Sequence, residues 1–133
     1  MLIKSSKTLV DEAIKEIKTL KLEEVKELID KKTCTLIDLR DIRELYNEGG
    51  IGGAIHIPRG VLEFWVDEKS PYFQKGLFSE DKQIVLFSTL EDRSTLAAKT
   101  LQDMGFKNVA QIKGGYRAMA ASGNFQLIKI KKK

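Results

Sequence analysis

A chain of 133 residues with 42% hydrophobic content can close one packed core, and too little chain remains for a second. Its 32% charged residues mix both signs, which excludes a self-repelling disordered chain, and the net charge of +4 forms no aromatic-studded basic stripe suited to nucleic acid. A single cysteine and a single histidine exclude a disulfide framework and the common zinc sites.

From the N-terminus, Leu9, Val10, Ala13, Ile14, Ile17 and Leu20 recur at helical spacing with charges between them, which predicts an amphipathic helix over residues 7–20. Its apolar face suits docking on its own domain or on a second subunit better than lying on a membrane. A second helix is expected over 22–31, with Leu22, Val25, Leu28 and Ile29 on one face. The run 35–39 is apolar and ends in charge, as a buried strand does. A short helix over 41–48 is stopped by Gly49-Gly50, and the glycine-rich turn at 52–53 leads into a strand ending at Pro58. Pro58 opens another helix, with Val61, Leu62, Phe64 and Trp65 mostly core candidates, and 71–79 reads as a connection.

The most apolar strand, 84–87, runs into the polar loop 88–92, followed by a helix over 93–104 that Gly105 stops. A last strand over 109–112 and a turn at Gly114-Gly115 lead to a short helix at 116–121, and the lysine-rich end reads as a solvated tail. Strands alternating with helices predict a parallel α/β sheet covered on both faces. No apolar run approaches the ~20 residues of a membrane span, and residues 1–4 do not read as a signal peptide. The expected location is therefore the cytoplasm, and no metal or cofactor is expected.

In open α/β sheets ligands gather at the carboxyl ends of the strands. Two such ends are polar here, residues 38–41 and 88–93, and the second leads straight into a helix whose free N–H groups would cradle an anion. Asp38 and Arg40 either frame the mouth of that site or cap and pair at the strand end. Arg59 points to the site or forms a surface ion pair. Arg93 either positions an anion or is neutralised by Glu91 or another acid. Asp92 and Ser94 are candidate helix caps, worth ~1 kcal/mol. His56 reads as a hydrogen-bonded structural histidine. Cys34, roughly 13 Å back from Asp38 at about 3.3 Å per residue, reads as a structural thiol at the far end of the sheet.

The ordered segments 36–40, 49–58, 84–87, 93–98, 101–109 and 112–116 resemble the rhodanese (thiosulfate sulfurtransferase) family, and 58–67 is similar to a stretch in single-domain bacterial members. The resemblance covers about residues 22–123. It implies a central, mostly parallel five-stranded sheet with helices on both faces, residues 21–124 forming the domain, 1–20 a helical extension and 125–133 a basic tail. Active members open a six-residue loop with a cysteine that carries sulfane sulfur as a persulfide, and close it with an arginine. Here that loop is Ser88-Thr89-Leu90-Glu91-Asp92-Arg93. The arginine position is kept, but the nucleophile position holds serine.

A serine hydroxyl is far less acidic than a thiol, no general base is evident beside it, and an oxygen-bound sulfane is not a stable carrier. Leu90 adds bulk, and Glu91 and Asp92 are expected to add negative charge where an anion would sit. The resemblance thus implies a family member without sulfur transfer, acting as a binding or regulatory module. The alternative is a sulfurtransferase whose cysteine has been exchanged. The related cell-cycle phosphatases use a longer cysteine loop, so the six-residue loop and absent cysteine oppose that reading. Partners expected on this basis are a small anion or sulfur donor, and a protein partner or second copy bound through the N-terminal helix.

Overall fold

The computed structural model describes residues 3–132, so Met1, Leu2 and Lys133, parts of the expected extension and tail, lie outside the described residues. In chain order the elements are α1 (Ser6–Ile14), β1 (Lys18–Leu20), α2 (Leu22–Asp30), β2 (Cys34–Asp38), α3 (Ile42–Glu48), β3 (Gly50–Ile51) and β4 (Ile55–His56). A 3-10 turn (Arg59–Val61) then leads to α4 (Leu62–Val66), β5 (Gln83–Phe87), α5 (Asp92–Asp103), β6 (Val109–Ile112), α6 (Gly115–Ser122) and β7 (Leu127–Ile128). Five strands form one sheet in the order β1-β6-β5-β2-β4, and every pair in it is parallel.

The central strands are apolar on both sides because both faces of the sheet are covered. Along β5 the side chains alternate between two cores. Val85 and Phe87 join Val25, Leu36, Ala110, Ile112 and Met119, while Ile84 and Leu86 join Ile37, Leu62, Ala97, Ala98 and Leu101. Thus α2 and α6 cover one face, and α4 and α5 the other. Parallel pairing brings the carboxyl ends of β2 and β5 side by side, with Asp38 in register with Phe87. This places the 88–93 loop beside the polar turn 39–41.

Two boundaries differ from the sequence expectation. The N-terminal helix ends at Ile14, and Lys18–Leu20 is the edge strand of the main sheet, in register with residues 110–112. A three-residue strand is too short to show period 2, and Ile17 and Leu20 continue the helical spacing of the segment before them, so periodicity does not separate helix from strand there. The buried side of α1, at Ala13, packs on α5 of the same chain, and Glu16 pairs with Lys99 at 3.2 Å. The extension is thus part of the sheet.

The C-terminal segment is likewise more than a solvated tail. Phe125 is buried, and β7 pairs antiparallel with β3. The strand needs Gly49 (φ +81°), because a Cβ there would lie 2.7 Å from the Ile128 carbonyl oxygen. Lysines in this stretch point outward while Ile130 lies over Gly50.

Candidate functional site

The 88–93 loop is built by opposing its two kinds of backbone group. The carbonyl of Ser88 accepts from the Tyr116 N–H at 2.8 Å, and that of Thr89 from the Arg117 N–H at 3.1 Å. The Leu90 carbonyl turns the same way: a Cβ on Gly115 would meet the Ser88, Leu90 and Thr89 oxygens at 2.5, 2.6 and 2.8 Å. The described residues include no cis peptide, so the N–H groups of Thr89, Leu90 and Glu91 point opposite to those carbonyls. They face the open side of the loop, together with the unbonded N–H groups of Asp92 and Arg93 at the start of α5. None of these five N–H groups has a protein acceptor among the described residues. The N-terminus of α6 thus satisfies the loop's carbonyls and leaves its donors for something else.

Ser88 sits at the bottom of the loop and is buried. Its hydroxyl donates to the Leu90 carbonyl at 2.8 Å and accepts from the Ser94 N–H at 3.2 Å. This hydroxyl, rather than Asp92 or Ser94, supplies the side-chain bond to the first turn of α5, whose cap position Glu91 makes no side-chain cap bond. The Ser94 hydroxyl instead reaches Gln111 on β6 at 2.7 Å.

Glu91 is arranged differently from the sequence expectation. The Glu91 carboxylate turns away from the open donors and accepts from the Gly114 N–H at 2.8 Å, at the N-terminus of α6, where a negative charge is favoured. Arg93 is neutralised by another acid, one of its two expected states, pairing at 3.1 Å with Glu44 from α3. Glu44 carries no mark in the sequence, because only the crossover that sets α3 beside the loop identifies it. Asp92 and Leu90 are exposed, with Leu90 at the loop tip.

Asp38 and Arg40 do not open on the loop. Arg40 is 0% exposed, gripping Asp38 through Nε at 3.0 Å and Nη2 at 2.8 Å. It also donates to the Gly49 carbonyl at 2.8 Å and lies under the Tyr116 ring, 3.8 Å from its centre. The Tyr116 hydroxyl donates to the Glu48 carbonyl at 2.7 Å, and its ring stacks on Phe87. This buried cluster clamps α6 to the ends of β2 and α3, and through the Tyr116 N–H it holds the loop. His56 Nε2 lies 2.7 Å from the Arg40 carbonyl oxygen, a structural bond. Arg59 pairs with Glu63 at 2.7 Å and lies 3.3 Å from the Thr100 hydroxyl, far along α5 from the loop.

Cavities lie at both ends of the sheet. One of about 390 Å³ lies beside the loop, lined by Glu48, Thr89, Tyr116, Arg117, Ala120 and Ala121. A larger one, about 960 Å³, lies at the opposite end of the sheet, lined by Ile84 near the start of β5 and by Asn108 just before β6. Cys34 is half-buried at that far end, at the start of β2 and away from the 88–93 loop. Burial pushes its thiol above the ordinary cysteine value, with the nearby Lys82 pulling partly the other way. Its thiolate fraction is therefore below that of a free cysteine, so iodoacetamide at about pH 8 should alkylate Cys34 more slowly than glutathione. Modification at the glutathione rate, followed by mass spectrometry, would contradict that environment. Among the described residues no group of three His, Cys, Asp or Glu side chains is placed to hold a metal ion, and no helix is long and apolar enough to cross a membrane.

The model of the rhodanese-like domain family matches residues 21–122. The chain is 32% identical over 100 residues to the mouse thiosulfate sulfurtransferase/rhodanese-like domain-containing protein 3, covering 71% of this chain and 62% of the mouse protein. Among solved structures, a Rhodopseudomonas palustris protein of unknown function, described as a possible tyrosine phosphatase, is 40% identical, with a TM-score of 0.86 over 92% of this chain and 94% of that one. The human single-domain sulfurtransferase is 27% identical, with a TM-score of 0.67 over 78% of this chain and 96% of that one. The chain spans between 31% and 62% of the length of the curated relatives it matches. With the five-stranded parallel sheet and the loop at its carboxyl edge, these matches show that the chain belongs to the rhodanese-like domain family.

Proposed function

We propose that this chain is a rhodanese-like domain whose 88–93 loop no longer transfers sulfur and serves as a binding module for a small anion or an anionic group of a partner. The observation that carries this reading is the state of Ser88. Its hydroxyl is buried and satisfied on both sides, giving its proton to a carbonyl and accepting from the start of α5. A nucleophile needs its proton drawn off by a base, and here the proton is held by the neutral Leu90 carbonyl, which is no base at neutral pH. The five free N–H groups of the loop and the α5 N-terminus remain a cradle for negative charge.

The alternative, a sulfurtransferase with its cysteine exchanged for serine, has residue identities against it and one side-chain orientation in its favour. Leu90 and Asp92 still differ from the small or basic residues of active loops, but Glu91 is turned to Gly114 and its carboxylate does not enter the cradle. The two readings separate on one pair of measurements. The chain as it stands is expected to show no thiosulfate:cyanide turnover above the protein-free rate and no persulfide by mass spectrometry after thiosulfate. Enzyme-like turnover would sink the proposal. A stable persulfide on the Ser88→Cys protein alone would instead favour the alternative, by showing that one residue separates this loop from sulfur transfer.

A further inference from the structure

Gln111 is 0% exposed in the middle of β6, on the face covered by α5, where an apolar residue would serve the fold alone. Burying an amide is unfavourable unless its polar atoms are bonded, and here both ends are. Its Nε2 donates to the Thr19 hydroxyl at 3.1 Å, and its Oε1 accepts from the Ser94 hydroxyl at 2.7 Å. Thr19 stands directly opposite Gln111 in the β1–β6 register. With Thr19 accepting from the amide nitrogen, the amide oxygen is left facing α5.

That oxygen meets the residue whose N–H binds Ser88. Ser94 is fully buried, its N–H donates to the Ser88 hydroxyl at 3.2 Å, and its own hydroxyl also lies 3.2 Å from the Glu91 carbonyl. A continuous line of polar contacts therefore runs from the edge strand, through Gln111 and Ser94, to both ends of the 88–91 turn. Thr19 lies outside the segment 21–122 that the family model matches. We infer that Gln111 is a positioning residue for the 88–93 loop and that Thr19, supplied by the N-terminal extension, fixes its orientation. The extension is then part of the loop's support, so the site is not complete within the family-matched segment.

This rests on the loop being the ligand site, but its test reads loop order directly. Amide hydrogen exchange by NMR on the full chain is expected to quicken by roughly tenfold in Thr19→Val or Gln111→Leu at Ser94, Tyr116 and Arg117, the amides bonded to the loop. The amides of 35–38 and 84–87 are expected to stay within a factor of about two, and Thr19→Ser should restore the original loop rates. A uniform increase across the central strands would reduce Gln111 to general stability, and unchanged loop rates would remove it from the site altogether; either overturns the inference. In a Cys34→Ser, Ser88→Cys background, the pH profile for alkylation of the thiol introduced at position 88 should also shift on adding Thr19→Val, since the Ser94 N–H would lie differently against the sulfur. Thiosulfate turnover by the unmodified chain would overturn the proposed function while leaving this positioning role standing.

Discussion

Replacing Arg40 with methionine is expected to destabilise the fold by about 3–5 kcal/mol, because it strands the Asp38 carboxylate without its partner in the interior. For a domain of this size that is a fall in the unfolding midpoint of roughly 10–20 °C. The side chain is 0% exposed and binds Asp38, Gly49 and the face of Tyr116 at once. Methionine keeps much of the packing volume, so the loss reports the uncompensated charge more than a cavity. The double variant Asp38→Leu, Arg40→Met removes both charges and should recover a large part of the loss. Thermal and urea unfolding of the three proteins measure this. A single-variant cost under about 1 kcal/mol would mean that the cluster does not depend on its charges.

Gly115→Ala is expected to cost about 2–4 kcal/mol, a large effect for one methyl group. Gly115 has φ +61°, and the added carbon would lie within 2.8 Å of three backbone oxygens that cannot swing aside as a side chain could. Either α6 withdraws, breaking the Tyr116 and Arg117 N–H bonds to Ser88 and Thr89, or the loop itself turns over. In both cases the orientation of the cradle's donors is lost along with stability. Shifted amide resonances of residues 89–93, with a lowered unfolding midpoint, are the expected signature. A wild-type midpoint with unshifted loop resonances would show that the carbonyls do not converge on Gly115 as described.

Much of the fold is legible in the amino-acid sequence. The apolar runs at 35–39, 84–87 and 109–112 mark the buried strands, since only strands covered on both faces are apolar without alternation. Glycine and proline punctuation places α3, the turn after it and α6 close to their observed limits. The short strands are not legible. β1, β3 and β7 have two or three residues each, too few to show a period, and each exists because a partner lies alongside.

For the candidate site, ordered motifs in the sequence identify the loop and Ser88, but they do not orient side chains. Arg40 reads as a polar residue at a strand end, and burial under Tyr116 makes it an internal clamp. Glu91 reads as a charge in the loop, and the α6 N-terminus draws it away from the open donors. Nothing in the sequence singles out Glu44, Gln111 or Gly115 as site residues, because each meets the loop from another element across sequence separations of 49, 17 and about 27 residues. What the sequence determined by itself is the parallel α/β class, the family resemblance and the serine at position 88. Those depend on local periodicity, punctuation and residue identity. Only the tertiary structure decided which loop groups face outward, which charges are already paired, and that the N-terminal extension belongs to the sheet, because each of these depends on contacts between segments distant along the chain.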